Sequence, residues 1–278
     1  MMDVFDDHTC ALGEGPLWHP TRKCLFWFDI LGKTLHIKGD ARQSWGFDEH
    51  VSAAGWVDDV ALLMASASGL WRFDISNGKR DLIAPLEADN PTTRSNDGRA
   101  DPKGGFWIGT MGLKSEARAG AIYRYYRGEV RQLFDRITIS NAICFAPDGG
   151  TAYFADTFSQ RIQKVALDKD GWPKGDPEVF VDLRADNLNP DGAVVDADGN
   201  LWNAQWGAGR IACYDPEGNF KRSLSVPASQ TTCPAFGGAD LGTLFVTSAS
   251  NGVDEGQGGM TFSTDAGIKG QQEHQVIL

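Results

Sequence analysis

The chain has 278 residues, carries 26 Lys and Arg against 37 Asp and Glu, and so has a net charge of −11. A surface of that sign lacks the basic field needed to neutralise phosphate, which argues against a nucleic-acid or anionic-membrane partner. With 41% hydrophobic and 23% charged residues and no apolar run as long as a membrane-spanning helix, the composition is that of an ordinary globular chain.

The N-terminus, MMDVFDDHTC, is acidic and lacks the basic start and apolar stretch of a secretory signal. The five cysteines, Cys10, Cys24, Cys144, Cys213 and Cys233, are scattered, odd in number and form no C-x-x-C. They read as reduced thiols of a cytoplasmic protein, not as a disulfide framework or a zinc knuckle. The 33 Gly and 9 Trp, without any stretch of helical periodicity, point to an all-β chain rich in turns.

In chain order, the first unit opens on Glu14-Gly-Pro-Leu-Trp18, turns at 19–23 and continues with a strand over 25–29. A weaker copy opens on Ala54-Gly-Trp-Val57, with strands over 62–65 and 70–73. The third opens on Asn96-Asp-Gly, with an aromatic strand over 106–110 and another over 121–125. The fourth opens on Asn141, turns at Pro147-Asp148-Gly-Gly and continues over 152–157 and 161–165. The fifth opens on Asp191-Gly, turns at Asp196-Ala-Asp198-Gly-Asn200 and continues over 201–204 and 210–214. A sixth, weaker copy opens on Cys233-Pro-Ala-Phe236 and continues over 244–247.

The leaders near 14, 54, 96, 141, 191 and 233 are separated by 40 to 50 residues. Six copies of that length, each with three or four short strands, predict an all-β, six-bladed β-propeller with four-stranded blades, a single domain over residues 1–278. A two-sheet sandwich is the alternative, but it does not need a repeat of this step. One blade is expected to be completed by the far end of the chain, through Cys10-Ala-Leu12 or Gln275-Val-Ile-Leu278. The aromatics Trp56, Trp71, Trp107 and Trp202 recur at strand positions and are expected to pack between blades. Trp206 is held open as a pocket wall.

Equivalent positions of successive blades form a ring, so Glu14, Asn96, Asn141 and Asp191 are expected to share one mouth of the central channel. Two carboxylates and two carboxamides there form a hard-oxygen set suited to Ca²⁺, Mg²⁺ or Mn²⁺, or to a less selective Zn²⁺ or Fe²⁺. Asn and Asp before Gly are also common turn formers. That bland reading is accepted for Asp97-Gly98 and Asp148-Gly149 but not for the four leaders, whose carboxylates would repel without a counter-ion.

At these residues the chain resembles the gluconolactonase and regucalcin (senescence marker protein) family of six-bladed propellers. The matching words are Leu12-Gly-Glu14-Gly-Pro16-x-Trp18, then Arg94-Ser-Asn96-Asp97-Gly98 with Asp101-Pro102 and Gly109-Thr110-Met111. Ile139-Ser140-Asn141, Tyr153-x-x-Asp156-Thr157, and Pro190-Asp191-Gly192 with Asp196 through Trp202 complete them. The resemblance implies one divalent metal held by Glu14, Asn141 and Asp191, substrate bound by Arg94 and Asn96, and hydrolysis of an aldonolactone to the open sugar acid. The chain departs from the pattern in the segment 112–118, part of a variable loop, in Asn203-Ala-Gln205-Trp206, and in the tail 271–278, which matches no known word.

The chemistry of that reaction requires a polarised carbonyl, an activated water and a stabilised oxyanion, and a divalent metal serves all three. Asp191 is the expected general base, although a neighbouring cation weakens it, so a hydroxide on the metal with Asp191 only as a ligand is the alternative. Arg94 lies two residues before Asn96, so strand alternation puts both on one face, where the guanidinium clamps hydroxyls or the developing carboxylate. A surface salt bridge is its bland alternative.

No G-x-S-x-G elbow, P-loop or H-E-x-x-H occurs. The five histidines, at 8, 19, 36, 50 and 274, have no metal-ligand spacing and read as surface or structural. Asp196-Ala-Asp198-Gly199 opens like a calcium loop, but the Gly is early and Gly207 stands where a Glu is required, so it reads as a hairpin turn. The expected function is thus a metal-dependent sugar lactonase acting on a small sugar lactone of the glucono-, xylono-, arabinono- or galactono- type. The alternatives are a phosphotriesterase or aryl esterase using the same site, a non-catalytic calcium-binding regulatory protein, and a scaffold that binds partners through its faces.

Overall fold

The computed structural model describes residues 2–278. Six four-stranded antiparallel sheets form a ring. The innermost strands are Gly13–His19, Val51–Asp58, Thr93–Ala100, Ser140–Phe145, Asn189–Val195 and Thr231–Gly237. Each packs against the innermost strand of the next blade, and Thr231–Gly237 returns to Gly13–His19. The molecule is a six-bladed β-propeller, as the repeat predicts. Among the described residues no helix is long and apolar enough to cross a membrane.

Second strands are buried on both faces, so those of the first two blades, Cys24–Asp29 and Ala61–Ser66, read as apolar runs without polar alternation. In the first blade Phe26 and Phe28 face the second blade, while Leu25 and Trp27 face the sixth. The same division around the ring produces six apolar clusters, one for each seam between blades. Trp107 and Trp202 fill seams as expected, and Trp56 is packed on one. Trp71 does not: it is half-buried, donates Nε1 to Ser66 Oγ at 2.8 Å and lies under the Arg80 guanidinium at 4.5 Å.

Closure differs from the expected form. The sixth blade takes its outermost strand from Asp3–Asp6, which pairs with Thr261–Asp265, and neither Cys10–Leu12 nor the C-terminus forms a blade strand. The reason lies in packing: Phe5 makes edge contacts with Phe245 at 4.9 Å and Trp27 at 6.4 Å, so the earlier segment reaches the outer edge. The tail runs instead across the face opposite Glu14. Val276 N donates to Trp56 O and Ile277 N to Gly104 O, both at 2.9 Å, and Gln271 Nε2 reaches Val195 O at 3.0 Å. Glu273 pairs there with buried Arg99.

Each innermost strand carries a bulge near its start, between Glu14 and Leu17, Val51 and Ala53, Ser95 and Gly98, Asn141 and Cys144, Pro190 and Ala193, and Thr231 and Pro234. A bulge re-aims side chains, and here it recurs where the channel opens.

Candidate functional site

The bulges position the leaders, and they correct one detail of the expected ring. Glu14 and Asn141 stand immediately before their bulges, whereas Asn96 and Asp191 stand one residue further in. The four are therefore not strictly equivalent. The leader-to-aromatic spacings carry the signal: 12 residues for Glu14 and Asn141, 11 for Asn96 and Asp191. In the first and fourth blades the residue after the leader is left-handed, Gly15 at φ 53° and Ala142 at φ 57°. Glycine is required at 15 for a second reason, since a Cβ there would collide with the Ser52 carbonyl.

Both kinds of leader nevertheless reach one place. Glu14, Arg94, Asn96, Asn141 and Asp191 line a single cavity of about 180 Å³. Leu12, Met111, Ile139 and Trp206 supply apolar wall, and Ser115 brings the variable 112–118 segment to its rim. Trp206 thus stands where a pocket wall was anticipated.

Aspartates at the ends of second strands set the approach to the leaders. Asp29 accepts hydrogen bonds from Ala11 N at 2.9 Å and Leu12 N at 3.0 Å. Asp156 does the same for Thr138 N and Ile139 N, both at 3.0 Å. Asn141 is then oriented by Thr157, a residue that the sequence reading quotes but assigns no role. Asn141 Nδ2 donates to Thr157 Oγ1 at 2.8 Å, and that hydroxyl donates to Pro190 O at 2.7 Å, tying the fourth blade to the residue before Asp191. Asn203 Nδ2 holds the Asp191 carbonyl at 3.0 Å.

Arg94 is buried and makes no ion pair among the described residues, so it is not a surface salt bridge. Its Nη1 donates to Asn96 Oδ1 at 2.7 Å and Ser95 O at 2.9 Å. Asn96 passes the contact on, donating Nδ2 to Ser140 O at 2.8 Å and Asn141 Oδ1 at 3.3 Å. Burial lowers the Arg94 pKa to about 10, against the pull of Glu14 and Asp191, so it remains a cation.

Asp97 departs from its turn assignment. It lies inside Thr93–Ala100, is buried, and accepts a hydrogen bond from Ile143 N at 2.7 Å. Asp97 lies with Asn96 in the bulge, just before Gly98, and a bulge uses the residue types that a turn uses. Asp148-Gly149 and Asp196–Gly199 are turns, as read.

Burial raises the Asp97 carboxyl to about 6. Burial also pushes up Glu14 and Asp191; the charge of Asp97 raises both further, and that of Glu14 raises Asp191. Two buried carboxylates lining one cavity require a proton or a cation to offset their repulsion. The donor chemistry, two carboxylates and the Asn141 amide oxygen with the fixed Arg94 cation engaged elsewhere, fits a divalent ion.

The SMP-30/Gluconolactonase/LRE-like family model matches residues 12–250. A Rhizobium meliloti (strain 1021) protein with a provisional sugar lactone lactonase name is 41% identical over 272 residues, covering 94% of this chain and 92% of its own. The L-arabinolactonase of Azospirillum brasilense is 34% identical, covering 88% of this chain and 83% of its own. The crystal structure of a calcium-binding protein, regucalcin, from Agrobacterium tumefaciens superposes with a TM-score of 0.97 at 42% identity, over 100% of this chain and 98% of the other. The chain belongs to the SMP-30/gluconolactonase/LRE-like family.

Proposed function

We propose that this chain is a metal-dependent lactonase that opens a small aldonolactone, with a divalent cation at Glu14, Asn141 and Asp191 and the substrate on Arg94 and Asn96. The convergence of these five side chains in one cavity supports the reading most strongly. The cavity, at about 180 Å³, lies below the roughly 300–1,000 Å³ of sites for drug-sized ligands. That favours a monosaccharide lactone over a bulky aryl ester or phosphotriester. The family membership and the lactonase names of the relatives agree with it.

When bound, the cation supplies Lewis-acid polarisation of the carbonyl and stabilises negative charge on oxygen. The chain's own groups do the rest. Arg94 keeps its other guanidinium N–H groups for ring hydroxyls, because among the described residues only Nη1 is used internally. Asn96 is held in one rotamer by three hydrogen bonds and presents a fixed edge to the substrate. Asp191 takes a proton from water as its oxygen bonds to the carbonyl carbon. It returns that proton to the ring oxygen as the C–O bond breaks. Burial raises Asp191 toward working pH and the cation opposes that rise, so base strength and metal affinity are set against one another.

Acid release from arabinono-, xylono-, glucono- and galactonolactone, with chelator and with each divalent ion restored, tests the reading. Turnover is expected to vanish with chelator and to return with at least one ion. Asp191→Ala is expected to lower kcat by roughly 10²–10⁴, and Asn141→Ala to abolish metal binding. Variants that keep both metal affinity and rate would reject the assignment. Calcium binding without turnover of any lactone would favour a regulatory protein.

A further inference from the structure

We propose that His8, Cys10 and His36 form a second metal site, for a zinc-class divalent ion bound through nitrogen and sulfur, at the seam where the ring closes. His36 lies on Thr34–Lys38 of the first blade, and its ring stacks on Trp27 with centroids 5.2 Å apart. Cys10 belongs to the segment leading from the closing strand into that blade. It is fixed to the sixth blade through Cys10 N to Gly259 O and Ser250 Oγ to Cys10 O, each at 2.9 Å. His8 stands two residues earlier, and its ring lies 4.7 Å from that of His36.

The ligand atoms of the three side chains all lie within 4.8 Å of one another. A tetrahedral ion with bonds of about 2.0–2.3 Å sets its ligands roughly 3.3–3.8 Å apart, so closure by about 1–1.5 Å suffices. Half-buried His8 is the member free to make that shift. The second observation concerns His36, which is 2% exposed. Its Nδ1 is engaged with Ser44 Oγ at 2.7 Å, and its buried Nε2 has no partner among the described residues. An imidazole held through one nitrogen, with the other buried and unpaired, in a ring beside a thiol and a second imidazole, has the arrangement of a metal ligand and its supporting contact.

Burial raises the Cys10 thiol to about 12, so the ion must displace a proton there. The site differs in kind from the channel mouth, whose donors are oxygens, so the two select different ions. Position supplies a purpose. Among the described residues this seam buries five apolar side chains, against eight to thirteen at the others. An ion bridging His8 and Cys10 to His36 would fasten the seam that buries the fewest apolar side chains among the described residues.

The full chain, stripped with chelator and titrated with Co²⁺ alone, provides the test. A saturable thiolate-to-cobalt charge-transfer band in the near ultraviolet is expected, displaced by Zn²⁺ and absent in Cys10→Ser. Ser44→Ala is expected to weaken cobalt binding roughly 10–100-fold, and His8→Ala by more. No band in the unmodified chain, or a band retained in Cys10→Ser, overturns the proposal. Should Cys10→Ser fail to fold, an unchanged midpoint in His8→Ala overturns it equally. The band is read without lactone, so its outcome is separable from that of the lactonase reading.

Discussion

Glu14 and Asp191 illustrate how burial turns an ordinary residue type into a device. In the unfolded chain a Glu titrates near 4.3. In the folded chain burial and the charge of Asp97 push Glu14 upward. The native state therefore retains a proton that the unfolded state loses, and stability falls as pH rises. In the metal-free chain the contribution of Glu14 is expected to be fully present below about pH 4 and to be lost toward neutrality and beyond. A bound divalent ion should remove that loss, and Glu14→Gln should flatten the slope without any ion. Denaturation midpoints across the pH range, with chelator and with metal, check both. A flat profile for the chelated chain would show that the carboxylates are better solvated than their burial indicates.

Among the elements, the bulged inner strand and the C-terminal tail determine what the channel contains. The bulge lets side chains from two neighbouring registers reach the same mouth. The tail covers the opposite face, where Glu273 neutralises Arg99. Removing one member of such a pair leaves a buried charge, so Glu273→Gln is expected to cost about 3–5 kcal/mol. The double change Arg99→Met with Glu273→Gln should recover much of that loss, because no charge is then stranded. Urea denaturation of the three variants decides it. Equal stability of the single and double variants would mean that the pair contributes through packing alone.

At the scale of the molecule, closure joins the two ends of the sequence, since Asp3–Asp6 completes a blade whose other strands begin at Thr231. Removing residues 3–6 would bare the edge of Thr261–Asp265 and withdraw Phe5 from Phe245 and Trp27. An exposed edge strand invites pairing with another chain. The shortened protein is expected to form larger species than the full chain, measured by light scattering. An unchanged size distribution would show that the segment is dispensable for protecting the edge.

The amino-acid order alone determined the ring and the residues gathered at its mouth, because a repeat of fixed step imposes a rotation on each unit whatever lies between. Glu14, Asn96, Asn141 and Asp191 were legible for that reason, and Arg94 through its two-residue offset from Asn96. The one-residue shift among the leaders was present only as a difference in spacing, and Asp97 was concealed because bulges and turns draw on the same residues. Closure by Asp3–Asp6, the Arg99–Glu273 pair and the meeting of His8, Cys10 and His36 were decided in the folded chain. Each is a single contact between distant segments, outside the repeat, and no local periodicity records it.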